Sequence, residues 1–155
     1  MKKALPYIAI IGTAAFIGNL LVIGLGFGMY WQTLEPMEFM RQFGVQFPLL
    51  LAPTMGILLP AIIATVAMVV NTKGQPAVRK NWVIALVGLM IACTITSVYH
   101  LPTNFGFMDM KYPAEVAASK LNLWLVLHWV RAVFVVVAAF FSVKAFKNSN
   151  LLNNY

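Results

Sequence analysis

The sequence predicts an all-α integral membrane protein, a four-helix transmembrane bundle with both termini on the inner side. Three observations carry this reading: four apolar stretches long enough to cross a bilayer, a composition that is 61% hydrophobic and only 10% charged, and an uneven split of the basic residues between the two sides. An ordinary soluble domain holds about 25% charged residues, so a water-soluble globular fold is excluded. The mean hydropathy of +0.84 agrees. The 155 residues suit one domain, 1–155, and show no internal repeat. Cys93 is the only cysteine, which excludes a disulfide scaffold within the chain.

A bilayer core about 30 Å thick needs roughly 20 apolar helical residues, and the stretches at about 5–30, 48–70, 82–101 and 121–143 meet that length. The first follows Met1-Lys2-Lys3 and runs from Leu5 to Tyr30. It is longer than the roughly 7–15 residues of a secretory-signal core and lacks a small-residue cleavage site, so it is expected to stay as a span. The second contains Pro53 and Pro60, which read as kinks, because neighbouring helices in a membrane re-satisfy the freed backbone groups. Between the second and third, 71–81 is short and basic and holds Gly74 and Pro76, as a solvated turn would. The segments 31–47 and 102–120 are longer, mix aromatics and Met with charges, and are expected to fold as loops over the outer end of the bundle. Tyr30, Trp31, Trp82 and Trp124 near the span ends suit an aromatic belt, and the polar tail after Lys147 is expected to fray.

Orientation follows from the eleven basic residues. With the N-terminus inside, Lys2, Lys3, Lys73, Arg79, Lys80, Lys144 and Lys147 fall on the inner side. Only Arg41, Lys111 and Lys120 fall outside, together with all four acids, Glu35, Glu38, Asp109 and Glu115. This is the positive-inside pattern, and it accounts for the net charge of +7 without nucleic acid as a partner. The expected setting is a bacterial inner (plasma) membrane with cytoplasmic termini. The expected partners are the lipid bilayer, a small hydrophobic substrate and, as a candidate, a second copy of the chain.

Polar residues inside a membrane are costly and mark function or helix register. Arg131 lies ten residues into the fourth span, about 15 Å below its outer end, too deep to reach water easily. Trp124, His128 and Arg131 share one helix face at i, i+4, i+7, and Leu121, Val135 and Ala138 extend it as a packed stripe. His100 continues the small-residue edge of Gly88, Ala92 and Thr96, so both histidines approach the outer third of the bundle from antiparallel helices. The pattern suggests a layered pocket, with His100 at the mouth and His128 and Arg131 at the floor. Asn19, mid-way along the first span, is placed to bond Arg131 or a neighbouring helix. Glu38, if folded inward, gives a histidine–carboxylate pair able to move protons. No phosphate loop, zinc helix, Cys-x-x-Cys pair or serine elbow is present. Two histidines are few for a metal, but His100 and His128 leave haem or copper ligation as an alternative. A non-enzymatic membrane subunit or scaffold, in which the polar residues only register the helices, is a third reading.

The run Tyr99-His100-Leu101-Pro102-Thr103-Asn104, followed by Trp124-x-x-x-His128-x-x-Arg131, resembles the anthrone-oxygenase-like family of small four-helix membrane proteins. The Trp- and Met-rich segment from Met29 to Met40 and the stretch Phe43-Gly44-Val45-Gln46 extend the resemblance over nearly the whole chain. In that family the position of His100 is usually Asn, so this chain carries a second imidazole where relatives carry an amide. The resemblance implies a membrane oxidoreductase acting on an aromatic or quinone-like molecule, with molecular oxygen as co-substrate and no cofactor. It implies His128 as base, Arg131 as the partner of a developing oxyanion, Trp124 against the ring, and His100 and Asn104 holding a carbonyl or a water. Asn19, Trp31 and Glu38 are the expected further substrate contacts.

Reporter fusions placed after Tyr155 and within 102–120 test the orientation. A cytoplasmic signal from the first and an extracytoplasmic signal from the second are expected; the opposite result reverses the topology.

Overall fold

The computed structural model describes the backbone of residues 4–152 and the side chains of 4–149; Lys2, Lys3 and the end of the polar tail lie outside the described residues. Four long helices follow one another up and down: α1 (Leu5–Trp31), α2 (Pro36–Asn71), α3 (Pro76–Met108) and α4 (Ala114–Leu152). Each contains one predicted span and is long and apolar enough to cross a membrane, and there is no strand among the described residues. The chain is an integral membrane protein.

Proline sets two of the starts. Pro36 and Pro76 occupy the first turns of α2 and α3, where a missing N–H costs nothing and the fixed φ favours the helix. Pro48, Pro53 and Pro60 lie inside α2, which continues through all three.

The expected outer loops are mostly helix. α2 begins at Pro36, α3 runs to Met108 and α4 starts at Ala114, leaving connections of only a few residues. Charges at Glu38 and Arg41 interrupt the hydropathy there, yet Phe39, Met40, Phe43 and Phe47 recur at helical spacing and are all buried, so the segment is an amphipathic extension of the span. The tail differs too, being helical as far as Leu152. The predicted aromatic belt also fails for the tryptophans. Trp31, Trp82 and Trp124 are buried inside the bundle, and only Tyr30 is exposed.

In cross-section the helices form a ring in chain order, with α4 returning to α1. Small and polar side chains face inward, among them Ala85, Ala92, Ala138 and Ser142, while Val133, Val136 and Phe140 face outward. This is the arrangement expected where lipid is as apolar as leucine and close backbone approach provides the cohesion. Gly88 shows the fit: a Cβ there would lie 2.7 Å from the Phe134 carbonyl oxygen on α4. Thr13, Thr65, Thr72 and Ser142 direct their hydroxyls to carbonyls four residues back, so they add no unpaired donor to the interior.

The two ends differ in charge. Glu35, Glu38, Asp109 and Glu115 sit at the α1–α2 and α3–α4 connections, here the acidic end. The aromatic cluster of Trp31, Phe39, Phe43, Phe47 and Phe107 closes the bundle just beneath it.

Replacing Gly88 by Ala is expected to cost about 1–3 kcal/mol of stability through overpacking, read as a lower unfolding midpoint in detergent. Gly26→Ala, where a Cβ meets nothing within 4 Å, serves as the control and is expected to leave the midpoint in place.

Candidate functional site

Two helices depart from α-helical winding on the same half of the bundle. Val22–Gly28 of α1 and Thr96–His100 of α3 are π-helical, a form frequent at functional sites because it widens a turn and redirects side chains. His128 of α4 meets the first of these. Its Nε2 lies 2.8 Å from the carbonyl oxygen of Leu20, across a gap kept open by Gly24, where a Cβ would come within 2.9 Å of that same nitrogen.

The other ring nitrogen fixes the tautomer. Arg131 Nη2 donates to His128 Nδ1 at 2.8 Å, and a guanidinium has no lone pair to offer in return. Nδ1 is therefore the acceptor, and Nε2 carries the hydrogen donated to Leu20. Arg131 Nη1 donates to the Thr96 hydroxyl at 3.0 Å, which itself bonds the Ala92 carbonyl at 2.9 Å. Arg131 is only 5% exposed, and its buried Nε has no partner. The ion pairs formed by Glu38 and Asp109, with Arg41 and Lys111, are at the acidic end; no carboxylate among the described residues pairs with Arg131.

Trp124 joins the seam. It stacks on His128 at a centroid distance of 5.1 Å and 19°, lies 5.8 Å from the Arg131 guanidinium carbon, and donates its indole N–H to Asn104 Oδ1 at 2.8 Å. That bond occupies the amide oxygen and leaves the Asn104 NH₂ able to donate. His100 faces two carbonyls, Ile95 at 3.3 Å from Nδ1 and Trp124 at 3.2 Å from Nε2. A neutral imidazole has one hydrogen and can satisfy only one of them.

Beside the seam is a cavity of about 300 Å³. Trp31, Phe43 and Phe47 roof it, Phe16 and Leu58 line its far end, and His100, Asn104, Thr96 and Arg131 form the polar wall. Of the expected site residues, His100, Asn104, Trp124, Arg131 and Trp31 thus meet around one space. His128 supports Arg131 from behind and does not line the cavity. Asn19 bonds Thr54 on α2 at 2.8 Å, so its partner is the neighbouring helix and not Arg131. Glu38 is at the surface, bound to Arg41 and Gln42, and takes no part.

His100 and His128 are closer in depth than predicted, with centroids 6.4 Å apart. The reason is that α3 continues to Met108, which puts His100 inside the helix and not at its mouth. Their nitrogens do not suit a shared metal: both of those on His128 are engaged, one by a cation, and no group of three His, Cys, Asp or Glu is assembled among the described residues.

The sequence reading missed Thr54, Thr96 as the second acceptor of Arg131, and the α2 wall of Leu50, Leu51 and Met55. Hydroxyls at i−4 from a buried His were the available signal for Thr96; the α2 wall has no sequence signature distinct from lipid-facing residues.

A double-mutant cycle with His128→Ala and Arg131→Met is expected to show a coupling of about 0.6–1.7 kcal/mol in detergent unfolding, the range of side-chain hydrogen bonds inside membrane proteins. Additive losses would mean that the two side chains do not support each other.

Comparison of the chain with protein-family models, with curated protein sequences and with solved structures gives no match, so the site stands on its own geometry.

Proposed function

We propose that the protein is a membrane oxidoreductase of the anthrone-oxygenase-like kind, binding a small hydrophobic aromatic or quinone-like molecule through an anionic or carbonyl oxygen. The observation that carries this reading is Arg131: a buried guanidinium without a carboxylate partner among the described residues, in the polar wall of a mostly apolar cavity. Such a charge lowers the free energy of an oxyanion far more than it would in water.

In the proposed reaction a weakly acidic ring system, such as an anthrone, loses a proton as it binds beside Arg131, and its electron-rich anion is attacked by molecular oxygen. The ring methylene loses two hydrogens and gains one oxygen atom from O₂, the second oxygen leaving as water. Arg131 holds the ring oxyanion, the Asn104 NH₂ donates to a second oxygen, and Trp124 packs against the ring.

The proton acceptor in this scheme is His100 and not His128. The His128 lone pair is held by Arg131. His100 gains a hydrogen bond on protonation, because its second ring nitrogen already faces a carbonyl. His128 serves as a positioning residue for the guanidinium.

In the cell the proposal places the chain in a bacterial inner membrane, with cytoplasmic termini and the acidic end outside. The cavity then lies in the outer half of the bilayer.

Oxygen uptake and quinone absorbance, followed with an anthrone-type substrate and protein in mild detergent, test the reading. Arg131→Ala is expected to lower turnover by roughly 10²–10³-fold, the usual cost of losing an oxyanion donor. His128→Ala is expected to have a smaller effect than His100→Ala. Substrate turnover unchanged in a folded Arg131→Ala variant, checked by gel filtration, would remove the proposal.

A further inference from the structure

The cavity has one permeable side. Its lining residues on α1 and α4, Phe16, Ile23, Trp31, Trp124 and Arg131, are all buried. The part-exposed ones lie on α2 and α3: Leu50, Leu51, Thr54 and Met55 on one side, Thr96 and Leu101 on the other. Helix packing agrees. α2 packs against α3 over Pro76–Ile95 and again over Leu101–Met108, but scarcely over the intervening π-helical turn, Thr96–His100. A window therefore separates the two helices at the level of the cavity. At its edge stands Met55, 37% exposed, on a surface that faces acyl chains.

The way in from the acidic end is closed by the aromatic roof, in which Phe43 and Phe47 stack at 5.4 Å and Trp31 lies 4.8 Å from Phe43. The α2 wall is easier to displace. Pro48 and Pro53 bracket Leu50 and Leu51, and each removes one backbone hydrogen bond from the helix.

Polarity is graded across the space. Arg131, Asn104 and His100 occupy the deep wall, whereas Leu50, Leu51, Met55 and Leu101 surround the window. A volume of about 300 Å³ is at the small end of ligand pockets and accommodates a ring system without a long chain.

From this geometry we infer that the ligand is a two-part, membrane-dissolved molecule: an oxygen-bearing ring seated against Arg131 and an alkyl tail that leaves through the α2–α3 window into the lipid. The inference rests on the proposed reading of Arg131 as an oxyanion partner and adds the tail, the route and the window. The ring is held by polar contacts, and the tail remains in hydrocarbon, so no water-filled path is required.

The test uses two probes on the full-length protein in lipid nanodiscs: an anionic hydroxynaphthoquinone, and the same ring bearing a decyl chain that ends in a photoreactive diazirine. Binding of the first is read by quenching of Trp31 and Trp124, which line the cavity. The tailed probe is expected to label residues at the window, Met55, Leu51 or Leu101, and excess untailed ring is expected to suppress that labelling. Arg131→Ala is expected to weaken both probes by about tenfold or more. Met55→Phe and Leu51→Phe, which narrow the window, are expected to reduce labelling by the tailed probe more than they weaken the untailed ring; equal losses for both probes would count against the window. Saturable binding of the untailed ring, with the tailed probe labelling only the acidic end or nothing specific, would overturn the tail and the window and leave the proposed function standing. Failure of both probes to bind the wild type would overturn the oxyanion reading beneath it.

Discussion

A guanidinium buried near the middle of a membrane protein is the constraint from which the rest of the polar interior follows. Placing an arginine at mid-depth in a span costs at least about 2.5–3.5 kcal/mol. Arg131 offsets part of this through Thr96 and His128. For His128 to accept, its other nitrogen must carry the hydrogen, and that hydrogen must find an acceptor in turn. The acceptor is the Leu20 carbonyl, reached because Gly24 has no side chain and because α1 departs from α-helical winding immediately beyond Leu20. One buried charge thus dictates a tautomer, a glycine and the winding of a helix that is distant in sequence.

The seam and the window are opposite consequences of one packing rule. α3 and α4 fit through alanines and Gly88, close enough for backbone to meet side chain, and that contact holds Arg131, Trp124 and His100 in place. α2 has bulky residues and three internal prolines, and it separates from α3 where α3 itself is π-helical. A rigid wall carrying the polar groups and a deformable wall of aliphatic side chains suit the proposed ligand, a ring held firmly and admitted from the lipid.

Much of this was legible in the sequence. Four spans follow from hydropathy, and the face carrying Trp124, His128 and Arg131 follows from i, i+4, i+7 spacing; all three are buried together. What hydropathy concealed was the helical nature of 102–108 and, in 36–47 and 114–120, of segments where charges at solvent-facing positions mask a regular buried stripe of Phe39, Met40, Phe43 and Phe47 or of Ala117, Leu121 and Trp124. That error displaced His100 to a helix end and so overstated its separation from His128. The burial of Trp31 and Trp124 was also hidden, because it depends on partners remote in sequence, Gln46 and Asn104, that satisfy their indole N–H groups. Glu38 could not be placed from sequence at all, since a surface acid and an inward-folded one read alike.

Arg131 could be regarded as a structural tie that registers α3 against α4, and the energetics weigh against that being its whole role. Side-chain hydrogen bonds inside membrane proteins contribute on average only about 0.6 kcal/mol, so one bond to Thr96 on α3 and one to His128 on the same helix do not recover the cost of the charge. A neutral side chain could tie the same helices without the desolvation. A structural arginine would also be expected to engage its donors fully, whereas here Nε is left without a partner. The buried Trp82 indole N–H in the close-packed half also lacks a partner, but Arg131 alone of the two lines the cavity, and Ala85, Ala138 and Ser142 leave no comparable gap around them. A positive charge held at a net cost, incompletely satisfied and adjacent to a mostly apolar space, is the feature on which the proposed anionic ligand rests.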